Sequence, residues 1–452
     1  MKFKIPKNAQ YIIDTFYKNN YEAFLVGGCI RDMLLKKEPK DFDIATSAIP
    51  TTTEILFSKT IPTGIKHGTV TVIINNESFE VTTYRTEGTY KDNRRPEKVS
   101  FVTNIKEDLS RRDFTINAFA YNNIEGLKDY FNGINDLNNK IIKTVGNSDT
   151  RFKEDALRML RGIRFSAQLN FKIEKKTFES IKSNKDLIKN VSIERIRDEL
   201  CKLLLSDNPR KGLNYLKDSC ILNIILPELL PCINFEQKNK YHFEDVFNHT
   251  ISVIEKSPKN IVIRLAALFH DIGKPECFFV DETGNGRFFG HNIKSEYITK
   301  KILRRFKFDN KTIDSVCILI REHMNVLENP TDVAVKRLIN RVSIKNINLL
   351  FKLQEADIKS LKLYEEPLKN LNIMIEKANV IINSKEPLST KDLNIDGKTL
   401  IDELKLKPGK IIGELLNYLL QLVLKNSSLN KKEFLLEKAK NYINLQNKRT
   451  FP

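Results

Sequence analysis

One short stretch near the start of the chain constrains its fold more than any other, because it joins a strand, a glycine turn and two carboxylates. The apolar residues 24–26 are typical of a buried strand, and they lead through Gly27 and Gly28 into a helical pattern. A second predicted strand follows, and it contains Asp41 and Asp43. Side chains two positions apart on a strand point to the same face. Two such carboxylates beside a glycine turn can bind a divalent cation and a polyphosphate together, although the same spacing is common in solvated turns.

A predicted β-hairpin adds a third acidic side chain. Its strands lie at residues 69–74 and 78–84, joined by a turn at residues 75–77. On the second strand the apolar residues would point to one face and Glu80 to the other. Glu80 could therefore join the two aspartates, or it could be an ordinary outward-facing residue.

Two basic segments follow the hairpin. Residues 85–98 are polar, charged and glycine-containing, which indicates either a plain surface loop or a mobile loop that positions a nucleotide or primer. A helix is then predicted to begin at Ser110 and to carry Arg111, Arg112 and Asp113. These charges could form a surface salt-bridge cluster. Beside a nucleotide site, an arginine would equally suit phosphate and an aspartate would suit ribose hydroxyls.

Further along, the apolar periodicity becomes helical. Residues 151–169 are predicted to form one helix, on one face of which Asp155, Arg158, Arg161 and Arg164 recur every third residue. A ladder of this kind is usually a set of stabilising ion pairs. Base chemistry offers an alternative, because cytosine and adenine both present an amino donor beside a ring-nitrogen acceptor. Asp155 as acceptor and Arg158 as donor would fit both bases and reject uracil and guanine.

Histidine is concentrated in one part of the chain. Five of the six histidines lie between residues 242 and 323, and His270 is followed directly by Asp271 at the end of a predicted helix. A single histidine on such a helix is most often a buried, hydrogen-bonded residue. Clustered imidazoles with a carboxylate instead suit a divalent transition metal.

Length, charge and cysteine content limit the classes of protein to which this chain can belong. A chain of 452 residues is too long for one ordinary core and indicates about two to four domains. The net charge of +18 is spread along the chain, which favours a long groove for an anionic partner, or reflects the base composition of the genome. Six cysteines without a CxxC pair, mostly in apolar contexts, predict reduced core residues. With no signal peptide and no membrane span in the pattern, we expect a soluble, cytoplasmic protein with no membrane partner.

Five motifs occur in a fixed order over roughly the first half of the chain: GGCIRDMLL…DFDIATS, EVTTYRTEGTY…RRP, RRDFTINA, EDALRMLRGIRF and ERIRDEL. Together they resemble the class II tRNA nucleotidyltransferases, the CCA-adding enzymes, and the related bacterial poly(A) polymerases. The resemblance implies that Asp41 and Asp43 hold two Mg²⁺ ions and that Asp155 and Arg158 select CTP and then ATP. The helix at residues 194–199 would brace the neck without a catalytic role. The nucleotide contacts that the resemblance implies are Gly27, Gly28, Arg31, Arg112, Asp113, Asn117, Asp155, Arg158, Arg161 and Arg164.

The histidine-rich segment resembles the HD-type metal-dependent phosphohydrolases, whose pattern is H…HD…D. His249, His270 and Asp271 match it directly, and Asp357 is the best candidate for the closing aspartate. Two-metal variants place extra ligands where this chain has His291 and His323. The resemblance implies a divalent transition metal and a phosphatase or 2′,3′-cyclic phosphodiesterase activity. A degenerate domain with a structural role is the alternative.

These patterns predict an α+β protein, in which a mixed β-sheet head is followed by helical neck, body, HD and tail regions. The expected regions are a nucleotidyltransferase head at 1–145, a base-selecting and RNA-binding neck and body at 146–235, an HD domain at 236–362, and a tRNA-binding tail at 363–452.

The leading hypothesis is template-independent addition of CMP, CMP and AMP to tRNA 3′ ends, with CTP and ATP as substrates and tRNA held at its acceptor stem and elbow. The nearest rivals are a poly(A) polymerase and enzymes that add only CC or only A. CC-only enzymes are expected to lack the basic loop that residues 85–96 supply. The rivals from other classes are an HD phosphohydrolase whose N-terminal half only binds RNA, and a non-catalytic RNA-binding protein.

Overall fold

The computed structural model describes residues 3–88, 99–238 and 244–449. Its contacts divide the chain into two compact units: Met1–Leu230 with Arg305–Lys307, and Pro231–Arg304 with Phe308–Pro452. The first unit contains a mixed β-sheet, and the described part of the second consists of helices and a short β-ribbon, so the predicted α+β class is confirmed. Among the described residues, no helix combines the length and apolar character that a membrane crossing requires. Most of the predicted basic loop at residues 85–98 lies outside the described residues.

The strands of the first unit are β1 (Ala23–Val26), β2 (Asp43–Thr46), β3 (Thr60–Gly64), β4 (Thr69–Ile74), β5 (Glu77–Thr83), β6 (Arg85–Glu87), β7 (Val99–Phe101), β8 (Phe119–Asn122), β9 (Gly126–Asp129), β10 (Ile141–Ile142) and β11 (Lys172–Ile173). Seven of them form one sheet in the order β3-β4-β5-β2-β1-β8-β9. In this sheet β2 and β5 are parallel and the other neighbours are antiparallel. The predicted hairpin is β4–β5. Its turn residues Asn75 and Asn76 have φ angles of 49° and 65°, which are the positive values that a tight type I′ turn needs.

The helices of the first unit are α1 (Lys7–Lys18), α2 (Gly28–Leu34), α3 (Pro50–Leu56), α4 (Ile105–Ser110), α5 (Gly133–Asn138), α6 (Ser148–Glu154), α7 (Leu157–Leu169), α8 (Lys175–Asn184), α9 (Ile193–Leu204), α10 (Pro209–Asp218) and α11 (Leu222–Ile225). Apolar side chains cover both faces of the sheet. On one face Phe16 of α1 joins Leu25 in a buried cluster, and on the other Phe24 and Tyr84 belong to a second cluster. Burial on both faces fixes β1, and with it the glycine turn that follows.

Two predicted helices differ from the structure. Ser110 ends α4 rather than beginning a helix, because the apolar residues that follow form the fully buried strand β8. The single helix predicted at 151–169 is two helices, α6 and α7, separated by Asp155 in an extended conformation (φ −139°, ψ 104°). The Asp155 carboxylate accepts a hydrogen bond from the backbone N–H of Leu157 at 3.1 Å. This local side-chain-to-backbone bond competes with a continuous helix at this point.

The second unit contains α12 (Val246–Lys256), α13 (Ile261–Phe269), α14 (His291–Arg305), α15 (Asn310–Glu322), α16 (Asp332–Val342), α17 (Ile344–Ile358), α18 (Glu365–Asn383), α19 (Gly397–Leu404), α20 (Lys410–Lys425), α21 (Lys432–Arg449) and a ribbon of β12 (Phe279–Val280) and β13 (Gly286–Arg287). The helices α12, α13, α15 and α17 pack against one another and bury apolar residues such as Leu265 and Leu319. All six cysteines are free thiols, but the predicted core position holds only for Cys29, Cys232 and Cys317, because Cys201 and Cys277 are partly exposed and Cys220 is exposed.

Candidate active site and candidate metal centre

A cleft of about 520 Å³ in the first unit brings together most of the residues predicted to bind nucleotide. It is built from the end of β1, the start of α2 and β2, the segment after α4, and α7. Four residues outside the predicted set also line it: Arg111, Leu157, Phe165 and Arg195. The predicted residues that line it are Gly27, Gly28, Arg31, Asp43, Arg112, Asp113, Asn117, Asp155, Arg158, Arg161 and Arg164.

Gly27 allows an arginine to enter this cleft. Its backbone has φ 77° and ψ −129°, a conformation that side-chain-bearing residues rarely adopt. A Cβ atom at this position would lie 2.6 Å from Nη1 of Arg112. The turn therefore favours glycine, and a side chain at this position would displace the Arg112 guanidinium.

Of the three predicted metal-binding carboxylates, Asp43 lines the cleft, whereas Asp41 precedes β2 rather than lying in that strand as predicted. The parallel pairing of β2 with β5 sets Ile44 opposite Val81, and Asp43 and Glu80 precede that pair by one residue on each strand. Burial raises the pKa of Asp43, and the Glu80 carboxylate raises it further. The positive charge of Arg112 lowers this pKa, and Asp41 adds a smaller increase. The three carboxylates offer only oxygen ligands, the type that Mg²⁺ prefers, but among the described residues they are not one of the groups whose ligand atoms lie within 4.8 Å of one another.

Asp113 is the hub of a hydrogen-bonded network in the cleft. Arg161 Nη2 lies 2.7 Å from Asp113 Oδ2, and the Asn117 amide donates to Asp113 Oδ1 at 3.1 Å. Arg31 Nη1 in turn donates to the Asn117 side-chain oxygen at 2.7 Å. Burial acts to raise the pKa of Asp113, but Arg161 and Asn117 outweigh it and bring the pKa to about 2. The carboxylate is therefore charged at neutral pH and holds Arg161 in place.

Asp155 and Arg158 line the cleft without pairing to each other, so the predicted ion-pair ladder is not what the structure contains. Arg195 donates from two nitrogens to the two oxygens of Asp155, at 3.2 and 2.8 Å. Arg158 Nη1 donates to Glu154 Oε2 at 2.6 Å, and its Nη2 donates to the Arg111 carbonyl at 3.0 Å. Neighbouring residues thus orient both side chains, and each side chain keeps unused hydrogen-bonding capacity.

The sequence reasoning missed three contributors to this cleft. Arg195 belongs to the helix that was expected only to brace the neck. Glu199, one turn later on the same helix, accepts a hydrogen bond from Arg164 Nε at 2.5 Å, and both side chains are buried. Phe165 lies under Arg164, whose guanidinium carbon is 3.9 Å from the ring centroid. The i, i+4 spacing of the arginine and the glutamate on α9 was the available signal that both face α7.

In the second unit, the six predicted metal ligands converge from five helices or helix ends. The structure contains two overlapping triads whose ligand atoms lie within 4.8 Å of one another: His249 with His270 and Asp271, and Asp271 with His291 and His323. Asp357 completes the group, with its Oδ1 3.1 Å from His249 Nε2 and 3.8 Å from His270 Nε2. His242, the remaining clustered histidine, lies outside the described residues.

Asp271 is shared between the two triads through different oxygen atoms. Its Oδ2 lies 3.2 Å from His270 Nε2 and 3.6 Å from His249 Nε2. Its Oδ1 lies 3.3 Å from His291 Nε2 and 3.8 Å from His323 Nε2. A carboxylate placed in this way could offer one oxygen atom to each of two cations.

Three of the histidines have a fixed ring orientation. The Nδ1 atoms of His270, His291 and His323 lie 2.9, 2.8 and 2.7 Å from the carbonyl oxygen three residues earlier. An N–H at Nδ1 that donates to this carbonyl leaves the Nε2 lone pair directed at the centre, as metal ligation requires. Burial lowers the pKa of His323 to about 3, which keeps that imidazole neutral. The donor set therefore fits a divalent transition metal.

The mixed sheet, the glycine turn and the arginine-lined cleft define a nucleotidyltransferase, and family models agree. The "Poly A polymerase head domain" model matches residues 23–143, the RNA- and SrmB-binding model of polymerase A matches residues 170–233, and the tRNA nucleotidyltransferase domain 2 model matches residues 288–439.

Whole-chain comparisons name the family. CCA-adding enzymes of Ligilactobacillus salivarius and Enterococcus faecalis are 36% and 35% identical over 437 residues, covering 96% of this chain and 96% and 95% of theirs. The crystal structure of the Bacillus stearothermophilus CCA-adding enzyme in complex with CTP matches with a TM-score of 0.76 at 27% identity, covering 99% of this chain and 100% of that one. The chain belongs to the CCA-adding enzyme family.

Proposed function

We propose that the first unit adds CMP, CMP and AMP to tRNA 3′ ends, using CTP and ATP. The observation that carries this proposal is the cleft itself, where Asp43 and the separately oriented pair Asp155 and Arg158 line one space. Relatives named CCA-adding enzymes along almost the whole chain support it. In this proposal the head, neck and body, HD and tail regions keep the boundaries predicted from the sequence, and the tail supports the tRNA elbow.

Each part of the cleft has a chemical role in this proposal. Asp41 and Asp43, with Glu80 beside them, would hold Mg²⁺. When bound, Mg²⁺ activates the tRNA 3′-hydroxyl and stabilises the pyrophosphate that leaves. Arg112 and Arg161 supply positive charge for the triphosphate, and the network around Asp113 fixes Arg161 before the nucleotide arrives.

Base choice is assigned to Asp155 and Arg158. A carboxylate that accepts from the exocyclic amino group and a guanidinium that donates to the ring nitrogen fit cytosine and adenine alike. Uracil and guanine present an N–H where the acceptor is needed, which leaves a buried donor without a partner. Arg195 contributes by holding the Asp155 carboxylate in one orientation.

The test uses three tRNA transcripts: one lacking the CCA end, one ending in CC and one complete. With labelled nucleotides and Mg²⁺, the proposal predicts CMP incorporation on the first, AMP incorporation on the second and no addition to the third. A poly(A) polymerase would instead extend all three with long A tails when ATP is the only nucleotide. That outcome would refute the proposal.

We further propose that the second unit is a metal-dependent phosphohydrolase with phosphatase or 2′,3′-cyclic phosphodiesterase activity. The observation that favours it is Asp271, which belongs to both triads of candidate ligands and lines a cavity of about 720 Å³. Lys274 Nζ lies 2.7 Å from Asp271 Oδ2 and also lines this cavity, where a positive charge suits phosphate. The rival reading, a degenerate centre with a structural role, predicts no bound metal.

Metal analysis of the purified full-length chain separates these two readings. The proposal predicts divalent transition metal bound to the wild-type protein and lost in Asp271→Ala. His67→Ala is the matched control, because His67 is exposed on a 3₁₀ turn of the first unit and belongs to neither triad. Equal metal content in Asp271→Ala and the wild type would refute the assignment.

A further inference from the structure

The cavity beside the histidine-rich centre is lined by two chemically different sets of residues. One set contains candidate metal ligands, including Asp271, His291 and His323, and the other contains Phe288, Phe289 and Met324. Phe289 is 77% exposed and Met324 is 59% exposed. Because both exposed side chains line the same cavity as the candidate metal ligands, they offer an apolar surface that a ligand bound there could cover.

The exposed phenyl ring is part of a four-phenylalanine group that we term the aromatic shelf: Phe278, Phe279, Phe288 and Phe289. The rings of Phe279 and Phe289 have centroids 5.7 Å apart, and those of Phe278 and Phe288 have centroids 5.5 Å apart. Each pair joins a residue at the start of the β12–β13 ribbon to one that follows it. The shelf is therefore a consequence of the ribbon pairing.

The ribbon is held in one shape by hydrogen bonds at its turn. Asp281 Oδ1 accepts from the backbone N–H groups of Thr283 and Asn285, each at 3.0 Å, and its Oδ2 accepts from Arg287 Nε at 2.6 Å. A Cβ at Gly286 would lie 2.3 Å from the carbonyl oxygen of Gln237. The close approach of these two segments fixes the base of the shelf.

A buried cation joins the shelf to the centre. Lys274 Nζ donates to Gln237 Oε1 at 2.7 Å, lies 2.7 Å from Asp271 Oδ2, and lies 5.3 Å from the centroid of the Phe288 ring. The Lys274 ammonium is thus close both to a candidate metal ligand and to one ring of the aromatic shelf. A ligand with a phosphate at the centre and a planar apolar group beyond it matches this order of groups.

We propose that the aromatic shelf, chiefly Phe289, binds an unpaired nucleobase and makes the centre select nucleoside phosphate esters over base-free esters. This inference rests on the proposed phosphohydrolase and identifies its substrate class. Hydrolysis consumes only water: a bond forms from the water oxygen to phosphorus, the bond from phosphorus to a ribose oxygen breaks, and the proton passes to that ribose oxygen. Loss of one base stack corresponds to roughly a 5- to 150-fold loss of affinity.

Two cyclic esters that undergo the same ring-opening test the role of the base. Adenosine 2′,3′-cyclic phosphate carries a base and glycerol 1,2-cyclic phosphate does not. For Phe289→Ala in the full-length chain with Mn²⁺, we expect kcat/KM to fall at least about 5-fold on the adenosine ester and to stay within about twofold on the glycerol ester. Phe289→Tyr keeps the ring and should match the wild type. Tyr297→Ala, which removes an aromatic residue that is 56% exposed and lies outside the cavity, is the second control.

Each remaining outcome bears on one of the two proposals. Equal losses on both esters, or no loss on either, would overturn the base-binding role of Phe289 while leaving the hydrolase in place. A wild-type protein that hydrolyses the glycerol ester but not the adenosine ester would overturn the inference in the same way. A wild-type protein that hydrolyses neither would refute the phosphohydrolase, and the inference with it.

Discussion

Replacement of Arg195 by alanine should weaken base choice without weakening tRNA binding. In the folded chain this guanidinium donates to both oxygens of Asp155, at 3.2 and 2.8 Å, and the two side chains are 26% and 19% exposed. Without this clamp the carboxylate can rotate away from the position in which it accepts from an exocyclic amino group. The nucleotide that uses this contact loses transition-state stabilisation, whereas UTP, which cannot use it, does not.

The size of the effect follows from the hydrogen bonds. A bond to a charged group contributes about 1.5–3 kcal/mol. Because the pair is partly solvent-accessible, we take the lower end, about 1.5 kcal/mol in total. This free energy corresponds to roughly a tenfold fall in the ratio of kcat/KM for CTP to that for UTP.

The assay is single-nucleotide addition to a tRNA transcript that lacks CCA, with CTP or UTP supplied separately. Arg197→Ala is the matched control, because Arg197 lies on the same helix, pairs with neighbouring Asp198 at 2.9 Å and does not line the cleft. We expect the control to keep the wild-type ratio. If Arg195→Ala lowers both rates equally, Arg195 supports the fold rather than the orientation of Asp155, and the reasoning is wrong.

Three further predictions concern two residues of the cleft and the net charge of the chain. Gly27→Ala should lower kcat/KM for nucleotide addition at least about 100-fold with an unchanged circular dichroism spectrum, because the turn becomes strained and the Arg112 guanidinium is displaced. Asp113→Asn should destabilise α7 by about 2 kcal/mol at pH 7, measured by hydrogen exchange, since the pKa of Asp113 is about 2 against the usual 3.8. A lowered pKa stabilises the fold only above the unfolded value, so this difference should be full above about pH 4 and vanish as pH falls toward 2. Finally, tRNA binding should weaken steeply between 50 and 200 mM salt in a filter-binding assay, given the net charge of +18.

Several parts of this fold follow from local patterns. Alternating apolar residues predict the β4–β5 hairpin, and two asparagines supply the positive φ angles of its turn. Gly27 and Asp43 locate the cleft, because Gly27 follows the last residue of β1 and Asp43 is the first residue of β2. The histidine cluster is equally visible, since histidines are few in this chain and five of them occur in one segment.

Other features depend on contacts between distant residues and have no local signal. Asp155 interrupts a continuous helical pattern, and its partner Arg195 is 40 residues away in the sequence. The strands of the β12–β13 ribbon are two residues each, too short for any periodicity to appear. The segment after Ser110 contains good helix formers, but pairing with β1 in the buried sheet overrides that preference.

The central claim is that one chain contains two separate sites with separate chemistries, and reciprocal substitutions test it most directly. Nucleotide addition to tRNA and hydrolysis of adenosine 2′,3′-cyclic phosphate are measured on the same preparations of Asp43→Ala and His270→Ala. We expect Asp43→Ala to abolish nucleotide addition and to keep hydrolysis of the cyclic phosphate. We expect His270→Ala to abolish hydrolysis of the cyclic phosphate and to keep nucleotide addition. Loss of both activities in either variant, with the fold intact by circular dichroism, would contradict it.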